Sequence, residues 1–394
     1  MVKLVGMNEK QVFGMALGME GTPWYVSEVG FDKDQRRLDI ELDFPPGSRF
    51  IHPSTGQAAP VYDTERKTWR HLNFFQFECY VHAFVPRVHG GPSGGIKRVE
   101  VPWARPQSGF TLFMESLMVL CAQTGMTVAE LSRVVGEYPQ RLWRVLEHHV
   151  GEAHQRMILD KVKILSIDEV SRRRGHKYLT VISEPSQVER PSRVLFVTEG
   201  KEAETIGRAK AFLAERGLAP KQIRQICIDM SAAYLKGVQE TFPEAQVIFD
   251  YFHVVQLVSK AERAQRDQLC QGKLHTARAY AHLEALRDVM KEGVPEEAEE
   301  ALKWWCGWVA RSRIPEMRAV VKTIRKHWAG VVAYLYTRIT NGAAEALNGI
   351  IQTVKRKSRG FRTIRYFRTM INLVASRLKF DLPQAVPVTH THSY

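Results

Sequence analysis

Three carboxylates constrain this 394-residue chain more than any other feature, because two of them sit where an acid is hard to bury. Asp168 closes the apolar run Val162-Lys163-Ile164-Leu165-Ser166-Ile167, and Asp229 closes Ile226-Cys227-Ile228. An unpaired charge inside a core is very costly, so an acid at the end of an apolar strand marks where that strand leaves the core. Glu345 lies in Thr340-Asn341-Gly342-Ala343-Ala344-Glu345-Ala346-Leu347-Asn348, at the start of a predicted helix. Asn341 is a good N-cap for it. Behind the cap, Ala344, Leu347, Ile351 and Val354 form one apolar stripe with Ile350 beside it, and Glu345, Asn348, Gln352 and Lys355 form a polar stripe on another face. Two strands and one helix can bring three acids to one spot. Hard cations such as Mg²⁺ or Mn²⁺ take oxygen ligands of this kind.

The formal net charge is +14, which points to a polyanionic partner, with nucleic acid foremost. The apolar fraction is that of an ordinary soluble protein, and the length allows two or three domains with real cores. None of the five cysteines forms a C-x-x-C pair, which leaves no cysteine metal site or disulfide framework and fits a reducing cytoplasm. The first residues carry no signal-peptide pattern, and no run of about 18 apolar residues suggests a membrane span.

Residues 1–48 read as a small β unit. Leu38, Ile40, Leu42 and Phe44 alternate with acids, and Trp24–Val29 is the expected hairpin partner. Residues 49–105 are rich in Gly, Pro and His. Two turns, His52-Pro53-Ser54-Thr55-Gly56 and Gly90-Gly91-Pro92-Ser93-Gly94, have the shape of zinc knuckles without their cysteines. His52, His82 and His89 are the remaining ligand candidates. They fall short of a tetrahedral site, so surface turns on a metal-free ribbon are the expectation. Residues 106–152 read as helical, with Phe110, Phe113, Leu117 and Leu120 at helical spacing. Thr127-Val128-Ala129-Glu130 is a capping box, the helix it opens stops at Gly136, and Pro139 suits the first turn of the next. The pair is a helix-turn-helix candidate whose second helix would offer Gln140, Arg141 and Arg144 to a DNA groove.

From 160 to 380 the pattern is a mixed α/β sheet. Strands are expected at 162–168, 178–183 and 193–198, then a helix at 202–216, the strand ending at Asp229, a helix at 231–241 and the strand Val247–Asp250. Residues 254–337 read as helices broken near Gly293 and Pro315. Trp304, Trp305 and Trp308 are expected as packing residues there, with nucleobase stacking as the alternative. Two basic segments suit a phosphate backbone. One is the turn Arg172-Arg173-Arg174-Gly175-His176-Lys177, and the other runs Lys355-Arg356-Lys357-Ser358-Arg359-Gly360-Phe361-Arg362. Asp250 ends a strand as the other aspartates do, so it and His253 are either close to a metal or a buried hydrogen-bonded pair. Glu169 alternates to the other face of its strand and is read as structural.

In order and spacing these segments resemble one family. They are Ile167-Asp168-Glu169 with Gly175-His176-Lys177-Tyr178, Asp229-Met230-Ser231, Phe249-Asp250-Tyr251-Phe252-His253, Thr340–Asn348 and Lys355–Phe361. The chain is similar to the DDE transposases of bacterial insertion sequences, in the group called ISL-three. The resemblance implies an α/β fold with an RNase H-like mixed-sheet catalytic core and a helical insertion at about 254–337. It also implies a preceding zinc-ribbon-like region and a helix-turn-helix domain. At the expected ribbon cysteines stand His52, Thr55, Gly90 and Ser93, which puts zinc in doubt. The resemblance assigns Asp168, Asp229 and Glu345 to two Mg²⁺ (or Mn²⁺) ions, with Asp250, His253 and Asn348 behind them. Double-stranded DNA is the implied partner, bound by Arg172, Arg173, Arg174, Lys177, Lys355, Arg356, Lys357, Arg359 and Arg362 besides the helix-turn-helix. The protein would act as a homo-oligomer on DNA in the bacterial cytoplasm. A DNA-binding regulator with an inactive core, or a nuclease that cuts without joining, are the alternatives.

Overall fold

The computed structural model describes residues 8–90, 94–173, 177–187, 190–269 and 276–383. The chain divides into two compact units, one of residues 1–126, 131–146 and 380–394, the other of 127–130 and 147–379.

The first unit is built on one sheet of six strands. These are β1 (Tyr25–Asp32), β2 (Arg37–Asp43), β3 (Arg49–Ile51), β4 (Ala58–Phe74), β5 (Phe77–His89) and β6 (Ile96–Arg98). Their order is β1-β2-β5-β4-β3, with β6 on β5. The expected β1–β2 hairpin is present, and Leu38, Ile40 and Leu42 face the core. Because β2 also pairs in parallel with β5, the first 48 residues and the ribbon-like region share this sheet. Trp24, Trp69 and Trp103 pack edge to face in its core. A short helix, α1 (Glu9–Ala16), precedes β1.

The knuckle-like segment 52–56 joins β3 to β4, residues 91–93 of the second segment lie outside the described residues, and His52 differs from its expectation as a surface residue. Its side chain is fully buried. Nδ1 accepts from the N–H groups of Ser54 and Thr55 at 3.2 and 3.3 Å, and Nε2 lies 3.2 Å from the Gly95 carbonyl. A Cβ on Gly90 would come within 2.6 Å of the imidazole, and one on Gly94 within 3.1 Å. The ring is therefore packed against Gly90, Gly94 and Gly95. His82 is committed elsewhere, to Asp39 at 2.7 Å and Thr68 at 2.9 Å, and His89 is exposed. Zinc does not fit this region: both nitrogens of the one histidine at a knuckle position are engaged, and Thr55 and Gly90 supply no thiolate or imidazole. Ser93 lies outside the described residues. Thermal unfolding of this unit is expected to be unmoved by chelators, whereas Gly90→Ala, which drives a methyl into the imidazole, should cost about 1–3 kcal/mol in denaturant melts. A chelator-induced drop in melting temperature with stoichiometric zinc in the purified protein would refute this.

Helix α2 (Leu112–Gln123) follows, capped by the Thr111 hydroxyl. It buries Met114, Met118, Val119 and Ala122 rather than the expected face of Phe113, Leu117 and Leu120. Glu115 lies on that buried face, fully buried and held by Arg105 and Ser108. Helix α3 (Val128–Val135) starts at the expected capping box: Glu130 N–H donates to Thr127 Oγ1, and the Glu130 carboxylate accepts from Thr127 N–H. It ends before Gly136, whose φ of +72° suits glycine, and α4 (Pro139–Gln155) begins at Pro139.

The second unit contains a five-stranded mixed sheet. Its strands are β7 (Ile164–Arg173), β8 (Lys177–Glu184), β9 (Arg193–Glu199), β10 (Gln225–Ile228) and β11 (Gln246–Phe249), in the order β11-β10-β7-β8-β9. The first three run as an antiparallel meander, and β10 and β11 add in parallel beside β7. Helices α5 (Ala203–Ala214) and α6 (Ala232–Thr241) make the two crossovers. This arrangement is that of the expected mixed-sheet, RNase H-like core. The insertion follows as α7 (Tyr251–Leu269), α8 (Thr276–Lys291), α9 (Pro295–Ala310), α10 (Pro315–Lys326) and α11 (Trp328–Thr337). It returns to the sheet where α11 docks on β11. There Gly330 leaves room for the Phe249 ring, which a Cβ would meet at 2.3 Å. The chain then enters α12 (Gly342–Lys357) and α13 (Ile364–Ala375). Leu347 and Ile351 of α12 and Phe367 and Ile371 of α13 pack on Val170, Leu179, Val181 and Val197 of the meander.

Candidate active site

Strand register places the aspartates. β10 pairs with β7 as Gln225 with Ile164, Ile226 with Leu165 and Cys227 with Ser166. Two positions further, that register sets Asp229 beside Asp168. Neighbouring strands lie about 4.8 Å apart, so the two acids occupy adjacent places in one row. Asp168 does not end its strand as expected. β7 continues to Arg173 because its antiparallel partner β8 extends there, and Asp168 pairs with Val181. It lies just beyond the last paired residue of β10, which is why a carboxylate can be tolerated at that point. Asp229 follows β10 directly, and its Oδ1 accepts from Ser231 N–H at 3.0 Å.

Helix α12 supplies the third acid. The expected apolar stripe is the buried one: Ala344, Leu347, Ile351 and Val354 face inward. The polar stripe runs along β7. Asn348 Nδ2 donates to Asp168 Oδ2 at 2.7 Å, Gln352 Nε2 to the Ser171 carbonyl at 3.5 Å, and Lys355 Nζ to that same carbonyl. Glu345 stands at the exposed head of this stripe, in the first turn of the helix.

The three acids act on one another. Burial is the main cause that pushes the Asp168 carboxyl up to about 6, and the charges of Asp229 and Glu345 raise it further. The Glu169 N–H and the charge of His253 act in the opposite direction. The first turn of α7 thus brings His253 into electrostatic reach of Asp168. Glu169 is also raised, first by burial and then by Asp229, with Lys201 and His253 opposing. Its carboxyl belongs to the same electrostatic cluster, which alternation along the strand did not reveal. Among the described residues no three His, Cys, Asp or Glu side chains converge tightly enough to hold one ion. The donors nonetheless suit a hard divalent cation: they are carboxylates that repel one another, backed by a buried Asn348 Oδ1 that has no hydrogen-bond partner.

The other expected site residues separate into groups. Asp250 bonds to Asn341, not to His253. Asn341 does not cap α12 as expected: its ψ of 6° lies outside the extended region a cap needs, and its side chain makes no cap bond. Gln140 and Arg144 are exposed on α4, but Arg141 is occupied by Glu137 and stacks over Phe110 at 4.3 Å, so it is not offered outward. Arg172 is paired with Glu199 at 2.6 Å. Arg174 and the side chains of Arg173 and Lys177 lie outside the described residues. Arg356, Lys357, Arg359 and Arg362 are exposed along the end of α12 and the turn after it. In the insertion only part of the tryptophan expectation holds. Trp305 is buried and donates to the His282 carbonyl at 2.8 Å, whereas Trp304 is 64% exposed and stacks on Trp308.

A mixed sheet that sets Asp168, within β7, beside Asp229, just after the parallel β10, with a third acid on a helix beside them, is what the transposase resemblance leads one to expect. Comparison with known proteins agrees. A family model described as a transposase matches residues 165–269 and 258–371, and one described as the helix-turn-helix domain of transposase family ISL3 matches 99–150. The transposase for insertion sequence element IS1557 of Mycobacterium tuberculosis is 27% identical, covering 86% of this chain and 87% of that protein. The transposase for insertion sequence element IS1001 of Bordetella parapertussis is 22% identical, covering 87% and 93%. The chain belongs to the ISL3 family of transposases and carries that family's helix-turn-helix, a DNA-binding domain. No helix among the described residues is long and apolar enough to cross a membrane.

Proposed function

We propose that the protein binds the terminal inverted repeats of an insertion sequence, cleaves a strand at each end and joins the freed 3′-hydroxyl to target DNA. The observation that supports this reading is the row of Asp168 and Asp229 near the head of α12, with the Asp168 carboxyl pushed up first by burial and then by the charges of Asp229 and Glu345. Asp168, Asp229 and Glu345 would hold the metal. Bound Mg²⁺ supplies Lewis acidity toward both the attacking and the leaving oxygen of an in-line displacement. Asn348 orients Asp168 through its 2.7 Å bond. Lys355 keeps the helix on β7, and the exposed Arg356, Lys357, Arg359 and Arg362 neutralise the phosphates on either side. Gln140 and Arg144 read the repeat in the major groove. Pairing two ends calls for a homo-oligomer assembled on DNA.

The test uses labelled repeat ends, a supercoiled target and Mg²⁺. Joined product that vanishes in Asp168→Asn, Asp229→Asn and Glu345→Gln supports the proposal. Cleavage that survives all three substitutions removes the site, cleavage without joining makes the protein a nuclease, and binding alone makes it a regulator.

A further inference from the structure

Asp250 extends the row of acids. β11 pairs with β10 as Gln225 with Gln246 through Ile228 with Phe249, so the same register sets Asp250 beside Asp229. By position alone it would be a fourth ligand, but its contacts lead elsewhere. Oδ1 accepts the backbone N–H of Asn341 at 2.9 Å, and the two residues are 1% and 0% exposed. Its own N–H donates to the Ile228 carbonyl at 3.0 Å, and its carbonyl accepts from Val254 N–H at 3.2 Å. One residue thus ties the sheet edge, the first turn of α7 and the start of α12. The Asn341 carbonyl in turn accepts the N–H of Glu345 at 2.8 Å, which is the opening bond of α12. A carboxylate at the positive end of a helix dipole is well placed to hold that end. Meanwhile Asp250 Oδ2 and both polar atoms of the Asn341 side chain are buried without partners. Such groups cost stability, so this contact is not kept for stability alone.

We infer that Asp250 is a positioning residue that fixes the start of α12 and thereby sets Glu345 opposite Asp168 and Asp229. The inference rests on reading those three acids as the metal-holding set. Mn²⁺ binding to the purified full chain, followed by loss of the free-ion paramagnetic resonance signal, tests it without requiring catalysis. Asp250→Ala should weaken binding by about 10–100-fold, the usual cost of removing a group that orients a ligand. Asp250→Asn keeps an oxygen for the Asn341 N–H and should bind close to wild type. Asn341→Pro removes the donor instead, at a φ of −80° that proline tolerates, and should match Asp250→Ala even if the alanine variant folds poorly. Amide exchange around Asn341 should accelerate in Asp250→Ala.

Wild-type Mn²⁺ binding in Asp250→Ala overturns the positioning role. An Asp250→Asn variant as weak as Asp250→Ala shows that the charge itself ligates the ion, and overturns it too. If Asp168→Asn, Asp229→Asn and Glu345→Gln all bind like wild type, the metal-site reading fails and takes the positioning role with it, a pattern distinct from the other two.

Discussion

Asp168→Asn is expected to abolish Mg²⁺-dependent strand cleavage while making the metal-free protein more stable. Removing a ligating charge should lower cleavage by at least about 100-fold, since even groups behind the ligands cost 10–100-fold. The gain in stability follows from the environment of the carboxyl. Burial, Asp229 and Glu345 push it up to about 6, so the folded state holds a proton that the unfolded chain releases near pH 4. Between those values the folded state binds more protons, and wild-type stability falls as pH rises. Above about pH 6 the full penalty is present, on the order of 3 kcal/mol. Asparagine removes it. Thermal unfolding in EDTA should therefore place the variant several degrees above wild type at pH 7.5, with the difference shrinking toward pH 4. Asn348 can accommodate the change, because its unpartnered Oδ1 can accept from the new amide once its side chain flips. Equal melting temperatures at pH 7.5 would mean that neither burial nor the neighbouring acids penalise the Asp168 charge.

The site was legible where local pattern determines it. Apolar runs ending in acids gave β7 and β10, and 3.6-residue periodicity gave the buried stripe of α12 and therefore the face that carries Glu345 and Asn348. The breaks near Gly293 and Pro315 fall between α8 and α9 and between α9 and α10, because glycine and proline act locally, whereas the break at His327 between α10 and α11 carries neither residue and went unread. What remained hidden depends on partners far along the chain. The side-by-side placement of Asp168, Asp229 and Asp250 comes from strand register, which no single run encodes. Asp250 is held by an N–H 91 positions away. Arg141 and Arg172 looked free because Phe110 and Glu199 reach them only in the folded chain, although the i,i+4 partner Glu137 of Arg141 was in view.

Two segments without cysteines read as surface features, yet the His52 ring is buried against Gly90, Gly94 and Gly95. Adjacent Trp304 and Trp305 differ by about 100° around α9, and only Trp305 falls on the buried stripe of Ala298, Leu302 and Val309, a helical periodicity that treating the tryptophans as one group overlooked.

Replacing Arg356, Lys357, Arg359 and Arg362 together with glutamine is expected to weaken DNA binding by about 10³-fold at about 0.1 M salt, and to make the plot of log affinity against log salt shallower by about 3.5. Each cation that sits on a phosphate releases roughly 0.9 counterion, so four lost contacts account for both figures. Arg172→Gln should change the slope much less, because Glu199 already neutralises that guanidinium. Lys355 is left in place because it holds α12 to the Ser171 carbonyl. The geometry also fixes how much DNA is needed. Eleven residues of helix separate Glu345 from Arg356, a distance of about 16 Å. Successive phosphates of one strand rise about 3.4 Å along the duplex axis, so with α12 lying along that axis its basic end reaches about five nucleotides from the acids. Substrates with fewer flanking nucleotides should bind wild type and the quadruple variant alike. If longer substrates give the same salt slope in both proteins, the DNA runs along a different face of the core, away from the polar stripe that carries Glu345.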